Sequence, residues 1–105
     1  MDLVFKALAD DTRRALLDRL LASPGLTLNE LVEGTGMRRQ SVSKHLMLLE
    51  EAGLVVVGWV GREKKHYLNV VPIQEIGRRW VDKYTAGRVD AVLNLKEAIE
   101  KTSKK

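Results

Sequence analysis

Residues 27–53 constrain the fold most, because two helical patterns of different length follow each other there across a glycine-containing break. Thr27 and Glu30 have the spacing of a capping box, which begins a helix, and this helix is expected to end near Gly34 after about two turns. A second helix is predicted over residues 39–52, closed by Gly53. A short helix, a tight turn and a longer helix with one polar side form a helix–turn–helix.

The second helix has one apolar and one polar face. Val42, Leu46 and Leu49 repeat at helical spacing and are predicted to face the core. On the opposite face, arginine can fork onto guanine and glutamine onto adenine, while serine, lysine and histidine can reach phosphates or base edges. The candidate DNA-binding residues of this helix are Arg39, Gln40, Ser41, Ser43, Lys44 and His45. Two other interpretations stay open: a polar face that meets only water, and a face that binds another protein.

A β-hairpin is predicted after the second helix, because the apolar period changes from that of a helix to that of a strand. Its arms are residues 54–60 and 64–70, joined by a turn at residues 61–63. Basic side chains that can hold DNA phosphates cluster at the tip and on the returning arm; they are Arg62, Lys64, Lys65 and His66. The same lysines can also protect an exposed strand edge from pairing with another chain.

Three other helices are predicted. The first carries Leu3 and Val4 on its apolar face. The second is expected to begin with Asp11 as its N-cap and to end at residues 23–25. After the hairpin, apolar side chains recur with helical spacing from Ile73 onward. The fold is therefore mainly α with a small β-hairpin, in the order α-α-α-α-β-β-α.

Composition narrows the function classes. The chain has 105 residues, a net charge of +4 and no cysteine, which excludes disulfide frameworks, thiolate metal sites and cysteine nucleophiles. Residues 37–66 carry six basic and three acidic side chains and both histidines, and such a basic segment favours a polyanionic partner. No apolar stretch approaches the roughly 20 residues of a membrane span, and the first residues lack the pattern of a signal peptide. A cytoplasmic protein without a membrane partner is expected.

Catalytic and metal-binding patterns are not expected in this chain. His45 and His66 have no His or Asp partner at ligand spacing. Ser43 and His45 stand two positions apart on a helix and point in different directions, so they do not form a nucleophile–base pair. No glycine-rich phosphate loop follows a strand. The sequence therefore predicts no enzyme, no metal site and no cofactor.

Three segments together resemble the ArsR-type winged helix–turn–helix regulators, in the branch without metal-binding cysteines. In order they read FKALADDTRR at 5–14, QSVSKHL at 40–46 and LEEAGLV at 49–55. The resemblance implies one winged-helix domain over residues 1–105, which binds an imperfect palindrome in double-stranded DNA as a homodimer and usually represses transcription. It places the recognition helix at residues 39–45 and the wing at Arg62, Lys64 and Lys65.

Two positions depart from this family pattern. Arg38 stands where relatives often have a serine N-cap, so a cap worth about 1 kcal/mol is lost. Its guanidinium adds a candidate phosphate contact instead. Met47 stands where relatives often have a basic or polar residue, and its thioether holds no phosphate. Arg38 therefore joins the candidate DNA-binding residues and Met47 does not.

The last predicted helix has an apolar stripe suited to pairing with a second chain. Trp80 and Tyr84 are large, while Gly87 and Ala91 on the same stripe let another helix approach closely. Two recognition helices related by a two-fold axis reach successive major grooves about 34 Å apart. The predicted interface combines the first and last helices and consists of Leu3, Val4, Ile76, Trp80, Tyr84, Ala91 and Leu95. The stripe could instead pack on its own core, or line a pocket at the dimer seam for a small effector that the sequence does not identify.

Overall fold

The chain forms two compact units, Met1–Pro72 and Ile73–Lys105. A computed structural model describes residues 1–85 and 88–103, so Gly87, predicted on the apolar stripe, lies outside the described residues. The elements up to the hairpin follow the predicted order and are α1 (Asp2–Leu8), α2 (Asp11–Ala22), α3 (Leu28–Val32), α4 (Arg39–Glu51), β1 (Val55–Val60) and β2 (Glu63–Leu68). They are followed by α5 (Val71–Ile76), a π-helical segment (Gly77–Val81), α6 (Asp82–Thr85) and α7 (Arg88–Ser103). The fold is mainly helical with one antiparallel hairpin, as predicted.

The region after the hairpin differs from the single helix predicted from Ile73. Helix α5 already begins at Val71, with Pro72 in its first turn, where the missing backbone N–H leaves no hydrogen bond unmade. A π-helical segment that begins at Gly77 then separates α5 from α6. Glycine is a poor helix former, so the regular α-helical hydrogen bonding changes at a residue that supports it weakly.

The core lies in the first unit and is built by its helices and the start of β1. Leu20 of α2, Leu31 of α3 and Leu49 of α4 are all 0% exposed. The core stripe predicted for α4 is confirmed, since Val42 and Leu46 are buried together with Leu49. Full burial of such a side chain stabilises the fold by about 1.5–3 kcal/mol. This burial fixes the rotation of α4 and leaves its opposite face in solvent.

Side-chain caps begin the second and third helices. Asp10, rather than the predicted Asp11, is the N-cap of α2: its backbone is extended, and its carboxylate accepts a hydrogen bond from the Arg13 amide at 3.0 Å. The capping box of α3 is confirmed. Thr27 Oγ1 accepts from the Glu30 amide at 3.3 Å, and Glu30 Oε1 accepts from the Thr27 amide at 3.1 Å. That donation from the Thr27 backbone lowers the pKa of the Glu30 carboxyl.

Arginines of α2 bind the carbonyl oxygens that the neighbouring helices leave unpaired at their C-terminal ends. Arg13 Nε donates to the Ala7 carbonyl at 2.8 Å, at the end of α1. Arg19 donates to the carbonyls of Leu31 at 2.6 Å and Glu30 at 2.8 Å, in α3. Because a guanidinium is always charged and presents its donors as a rigid fork, these contacts hold α1 and α3 in fixed positions against α2.

The hairpin closes with a tight turn. Its register runs from Val55 opposite Leu68 to Val60 opposite Glu63, so the turn consists of residues 61 and 62, one residue fewer than predicted. Gly61 has a φ of +61°, and no residue other than glycine has a positive φ in the described chain. A glycine with positive φ at the first of two turn positions is typical of a type II′ turn, which matches the twist of the flanking strands.

The second unit exposes its apolar side chains. Among residues 73–84 and 91–101, whose side chains are described, none is buried. Val92 is 64% exposed, Leu95 62% and Ile99 59%. In the described parts of the chain, no helix has the length and apolar character needed to cross a membrane. The apolar side chains described in α7 are therefore exposed.

Candidate nucleic-acid interface

The outer face of α4 carries the predicted DNA-binding side chains and is open to solvent. Arg39, Gln40 and Lys44 are exposed, and Ser41, Ser43 and His45 are partly buried. Arg38 is exposed and occupies the N-cap position without a side-chain hydrogen bond to the helix, as its departure from the family pattern predicts. The structure brings Arg39, Gln40, Ser41, Ser43 and Lys44 together on the outer part of α4, with Arg38 at its N-cap and His45 turned toward the start of α2.

A shallow depression of about 570 Å³ runs along this face. It is lined by residues of α4 and by one residue at the start of α3: Leu28, Arg39, Gln40, Ser41, Ser43, Lys44 and Met47. Met47 is 55% exposed and gives the far end of the depression an apolar character. The arginine, glutamine, serine and lysine side chains in this lining suit the edges of base pairs, and the thioether of Met47 suits a methyl group.

His45 is held in one orientation by residues from the start of α2. Its Nδ1 lies 3.2 Å from Arg13 Nη1 and 3.9 Å from Asp10 Oδ2. Because the Arg13 guanidinium can only donate, Nδ1 is the acceptor of that hydrogen bond and the ring proton lies on Nε2. The backbone hydrogen bond from Arg13 lowers the pKa of the Asp10 carboxyl, and the Arg13 charge adds to this effect. Nε2 is thus the His45 atom with a proton to donate to a phosphate.

Arg39 is oriented by the preceding helix. Its guanidinium donates from Nη1 to the side-chain oxygen of Asn29 in α3. A guanidinium has five N–H donors, so the contact leaves others for a base or phosphate. This pair was not predicted, because Asn29 and Arg39 belong to different helices and the packing of those helices sets the distance between them.

Of the basic side chains near the hairpin tip, one is exposed at the turn and two are paired with carboxylates. Arg62 is exposed at the turn. Lys64 Nζ lies 3.6 Å from Glu50 Oε1 of α4, and Lys65 Nζ lies 3.4 Å from Glu63 Oε2. Exposed ion pairs of this kind contribute about 0–1 kcal/mol, so a phosphate can replace the carboxylate at modest cost. Both lysines therefore stay candidate phosphate contacts, although each already has a carboxylate partner.

His66, predicted to share in phosphate binding, is a core residue instead. It is 3% exposed, and its Nδ1 lies 2.9 Å from the Leu26 carbonyl oxygen. Its backbone pairs with the chain just before α3, since the His66 amide donates to Leu26 and the His66 carbonyl accepts from Gly25, both at 2.9 Å. Side chains alternate along a strand, and this position of β2 faces inward. The correction follows from a contact between residues 40 positions apart.

A second groove separates α4 from the hairpin. It measures about 360 Å³ and takes one wall from α3 and α4 and the other from the hairpin. Its lining includes Asn29, Arg39, Glu50, Trp59 and Lys64. The prediction of a strand over residues 54–60 did not place Trp59 beside the candidate DNA-binding residues. The strand alternation contained the information, since Trp59 pairs directly with Lys64 across the hairpin.

Most of the predicted interface residues are exposed in the single chain. Leu3 is 56% exposed, Trp80 38%, Tyr84 49% and Leu95 62%. Ala91 is exposed and Ile76 partly buried. Val4 is the exception: at 7% exposure it packs in the core of its own chain and offers little surface to a partner. Helical spacing places Leu3 and Val4 on adjacent parts of α1, and only the fold shows which of them faces inward.

Metal-ligating side chains are dispersed in the described residues. No group of three or more His, Cys, Asp or Glu side chains is placed there to hold a metal ion. The two histidines lie in different surroundings. His45 is beside Arg13, and His66 lies against the backbone of Leu26.

Known proteins share this architecture. The family model described as a helix-turn-helix domain matches residues 8–58, from the end of α1 into β1. The uncharacterized HTH-type transcriptional regulator YuzN of Bacillus subtilis (strain 168) is 37% identical over 87 residues, which cover 77% of this chain and 95% of YuzN. A crystal structure of an ArsR family transcriptional regulator is 32% identical, with a TM-score of 0.70, and the match covers 78% of this chain and 89% of that one. The chain belongs to the ArsR family.

This ArsR-family chain is also similar to the transcriptional repressor SdpR of Bacillus subtilis (strain 168). The two are 33% identical over 75 residues, which cover 71% of this chain and 82% of SdpR. The matched region of the family model contains α3 and α4, so the helix–turn–helix found in the sequence is the family's DNA-binding motif. The chain is a transcriptional regulator with a helix–turn–helix DNA-binding domain, and the predicted family and fold class are confirmed.

Proposed function

We propose that this regulator is a cytoplasmic repressor that binds a palindromic operator in double-stranded DNA as a homodimer, with α4 in the major groove. One observation carries the proposal: the solvent face of α4 is lined by arginine, glutamine, serine and lysine, while its other face is anchored in the core. A rigid helix with such a face can present several hydrogen-bonding side chains to base edges at once.

Each candidate residue has a defined task in this proposal. Arg39 and Gln40, in the first turn of α4, read base edges, because residues near the N-terminus of a recognition helix lie deepest in the groove. Arginine, lysine, serine and histidine side chains around them donate to phosphates and so fix the orientation of the helix. These are Arg38, Ser41, Ser43, Lys44 and His45 in the helix region, and Arg62, Lys64 and Lys65 in the hairpin, which acts as the wing.

The exposed apolar side chains support a homodimer. Leu3 in α1 and Trp80, Tyr84 and Leu95 after the hairpin are between 38% and 62% exposed in one chain. Most soluble oligomers are closed by two-fold axes, which bury the same surface of both chains. A two-fold dimer also presents two copies of α4 to DNA, which requires an operator with two symmetric half-sites.

Similarity to a named repressor supports the direction of regulation. SdpR is described as a transcriptional repressor, and it shares 33% of its residues with this chain over 75 positions. A small dimer bound across an operator can block transcription by occupying the DNA. The proposal includes no catalytic step and no cofactor.

Selection of bound fragments from a pool of random duplexes tests the proposal most directly. We expect enrichment of an inverted repeat whose half-site centres lie about 10 base pairs apart, or a multiple of that distance. Enrichment of an asymmetric site would contradict the two-fold arrangement, and an absence of enrichment would contradict sequence-specific binding.

Variants then separate base reading from phosphate binding. Arg39→Ala and Gln40→Ala should each weaken binding to the selected site by about 1–3 kcal/mol and relax the base preference. The double variant Lys64→Ala/Lys65→Ala should weaken binding to all duplexes alike. Unchanged site preference in both Arg39→Ala and Gln40→Ala would assign the base-reading role to other residues.

A further inference from the structure

Trp59 is the largest side chain on the hairpin, and most of it lies in solvent. It is 67% exposed near the end of β1. Burial of an aromatic side chain is favourable and aromatic residues are strongly enriched where proteins bind partners. An exposed tryptophan on a two-stranded hairpin therefore gains most of its available stabilisation from a binding partner.

The position of Trp59 points to the surface that such a partner would occupy. Trp59 stands directly opposite Lys64 in the hairpin register, so both side chains lie on the same face of the hairpin. Lys64 reaches Glu50 of α4 from that face. Trp59 thus lines the groove of about 360 Å³ between α4 and the hairpin, together with Arg39 and Arg62.

The geometry of a DNA duplex determines what fits this groove. If α4 lies in the major groove and the hairpin tip reaches the adjacent minor groove, one sugar–phosphate strand separates the two. That strand must pass between α4 and the hairpin. Arg62 and Lys64 in the lining of the groove can meet its phosphates, and Glu50 and Glu63 of the same lining are ion-paired with lysines of the hairpin.

We propose that Trp59 is a DNA-contacting residue that packs its indole ring against the sugar–phosphate strand lying between the recognition helix and the wing. The proposal rests on the proposed function and adds to it a contact that is independent of base sequence. The indole suits this partner because its apolar face covers deoxyribose C–H groups while its N–H donates to a phosphate oxygen. Entry of the strand moves Lys64 from Glu50 to a phosphate.

Binding of a duplex of mixed sequence tests this contact without knowledge of the operator. Labelled duplexes of about 30 base pairs span roughly three helical turns, and about 50 mM salt favours sequence-independent binding. We expect Trp59→Ala to bind about tenfold more weakly, as for truncation of an aromatic anchor. Trp59→Phe should fall between Trp59→Ala and the parent chain, because it keeps an apolar ring and loses the N–H.

Val60→Ala is the matched control. Val60 is the next residue of β1, is 60% exposed, and points to the opposite face of the hairpin. Its binding should stay within about twofold of that of the parent chain, since isolated surface truncations have small effects. Equal affinity of Trp59→Ala and Val60→Ala would overturn the proposal, as would a loss in Trp59→Ala that depends on the sequence of the duplex.

A measurement on the unsubstituted sequence provides a second readout. Protein labelled with 5-fluorotryptophan gives fluorine resonances for Trp59 and Trp80, and Trp59→Phe assigns them. Saturation with the duplex should shift the Trp59 resonance and reduce its sensitivity to exchange of H2O for D2O. A Trp59 resonance that stays solvent-sensitive under saturation overturns the contact alone. Failure of the unsubstituted protein to bind any duplex overturns the proposed function as well, so the two failures are distinguishable.

Discussion

The two units of the chain differ in the burial of their apolar side chains. Among the side chains that the structure describes, every buried one belongs to the unit Met1–Pro72, where the helices and the start of β1 share one core. From Ile73 onward, no described side chain is buried, and residues such as Val92 and Ile99 are more than half exposed. The first unit supplies its own core, whereas the second leaves its described apolar side chains exposed. The proposed homodimer would need such an exposed apolar surface.

The core of the first unit should respond most strongly to mutation. Leu20→Ala removes a fully buried side chain of α2, and we expect a loss of about 3 kcal/mol in the free energy of unfolding. Leu21→Ala, at the next position of the same helix and 65% exposed, should change it by less than about 0.5 kcal/mol. Urea titration followed by circular dichroism measures both. Equal losses would show that the core does not extend as described.

Charge placed in the second unit should act on association rather than on folding. Leu95→Glu puts a carboxylate on a side chain that is 62% exposed in one chain; if a partner covers this position, the dimer dissociation constant should rise by about a hundredfold. Sedimentation equilibrium measures it. Leu21→Glu is the control, because that leucine is similarly exposed at 65% but lies in the first unit. If Leu95→Glu leaves the dimer dissociation constant unchanged, Leu95 is not part of the interface.

The arginines of α2 bind backbone carbonyls at the ends of α1 and α3, in addition to the side-chain packing of the core. Arg19→Ala should destabilise the chain by about 1–3 kcal/mol, because it leaves carbonyls of α3 without their charged donor. Arg14→Ala should have a smaller effect, since exposed Arg14 binds one carbonyl, that of Leu8. Thermal unfolding of both variants checks the order. The reverse order would contradict the assigned role of Arg19.

The smallest expected effect is a pH dependence located in the first unit. The pKa of Asp10 is lowered in the folded chain, chiefly by the Arg13 amide. Its contribution to stability is therefore complete above the unfolded pKa of about 3.9 and is lost as the pH falls through the folded pKa. Asp10→Asn keeps the cap but not the charge, so it should flatten the loss of stability in acid. Asp11→Asn, which leaves the cap of α2 intact, should keep that loss.

Local spacing in the sequence predicted most of the fold that positions the site. The stripe of Val42, Leu46 and Leu49 and the capping box of Thr27 with Glu30 are relations between residues three or four positions apart, and both are confirmed. Such relations are set by the geometry of the helix itself, so the sequence predicts them without knowledge of the rest of the fold. The recognition helix could therefore be placed to within one residue of its observed end.

What the sequence did not predict depends on contacts between distant segments. The inward position of His66 follows from pairing with Leu26, and the fixed ring of His45 follows from Arg13. The N-cap of α2 is a different case, because Asp10 and Asp11 are neighbours and the extended backbone at Asp10 decides between them locally. Helical and strand periods do not contain the partners of His66 and His45, because those contacts arise when elements pack against one another.

The ion pairs of Lys64 and Lys65 affect how many bound DNA phosphates a solution measurement would report. Each phosphate neutralised on DNA releases condensed counterions, and the slope of log affinity against log salt is commonly converted into a number of phosphates contacted. A lysine that leaves Glu50 or Glu63 for a phosphate abandons a carboxylate, which then recruits a cation from solution. That uptake offsets the release. In the proposed complex, the slope would therefore understate the true footprint by up to two phosphates per chain.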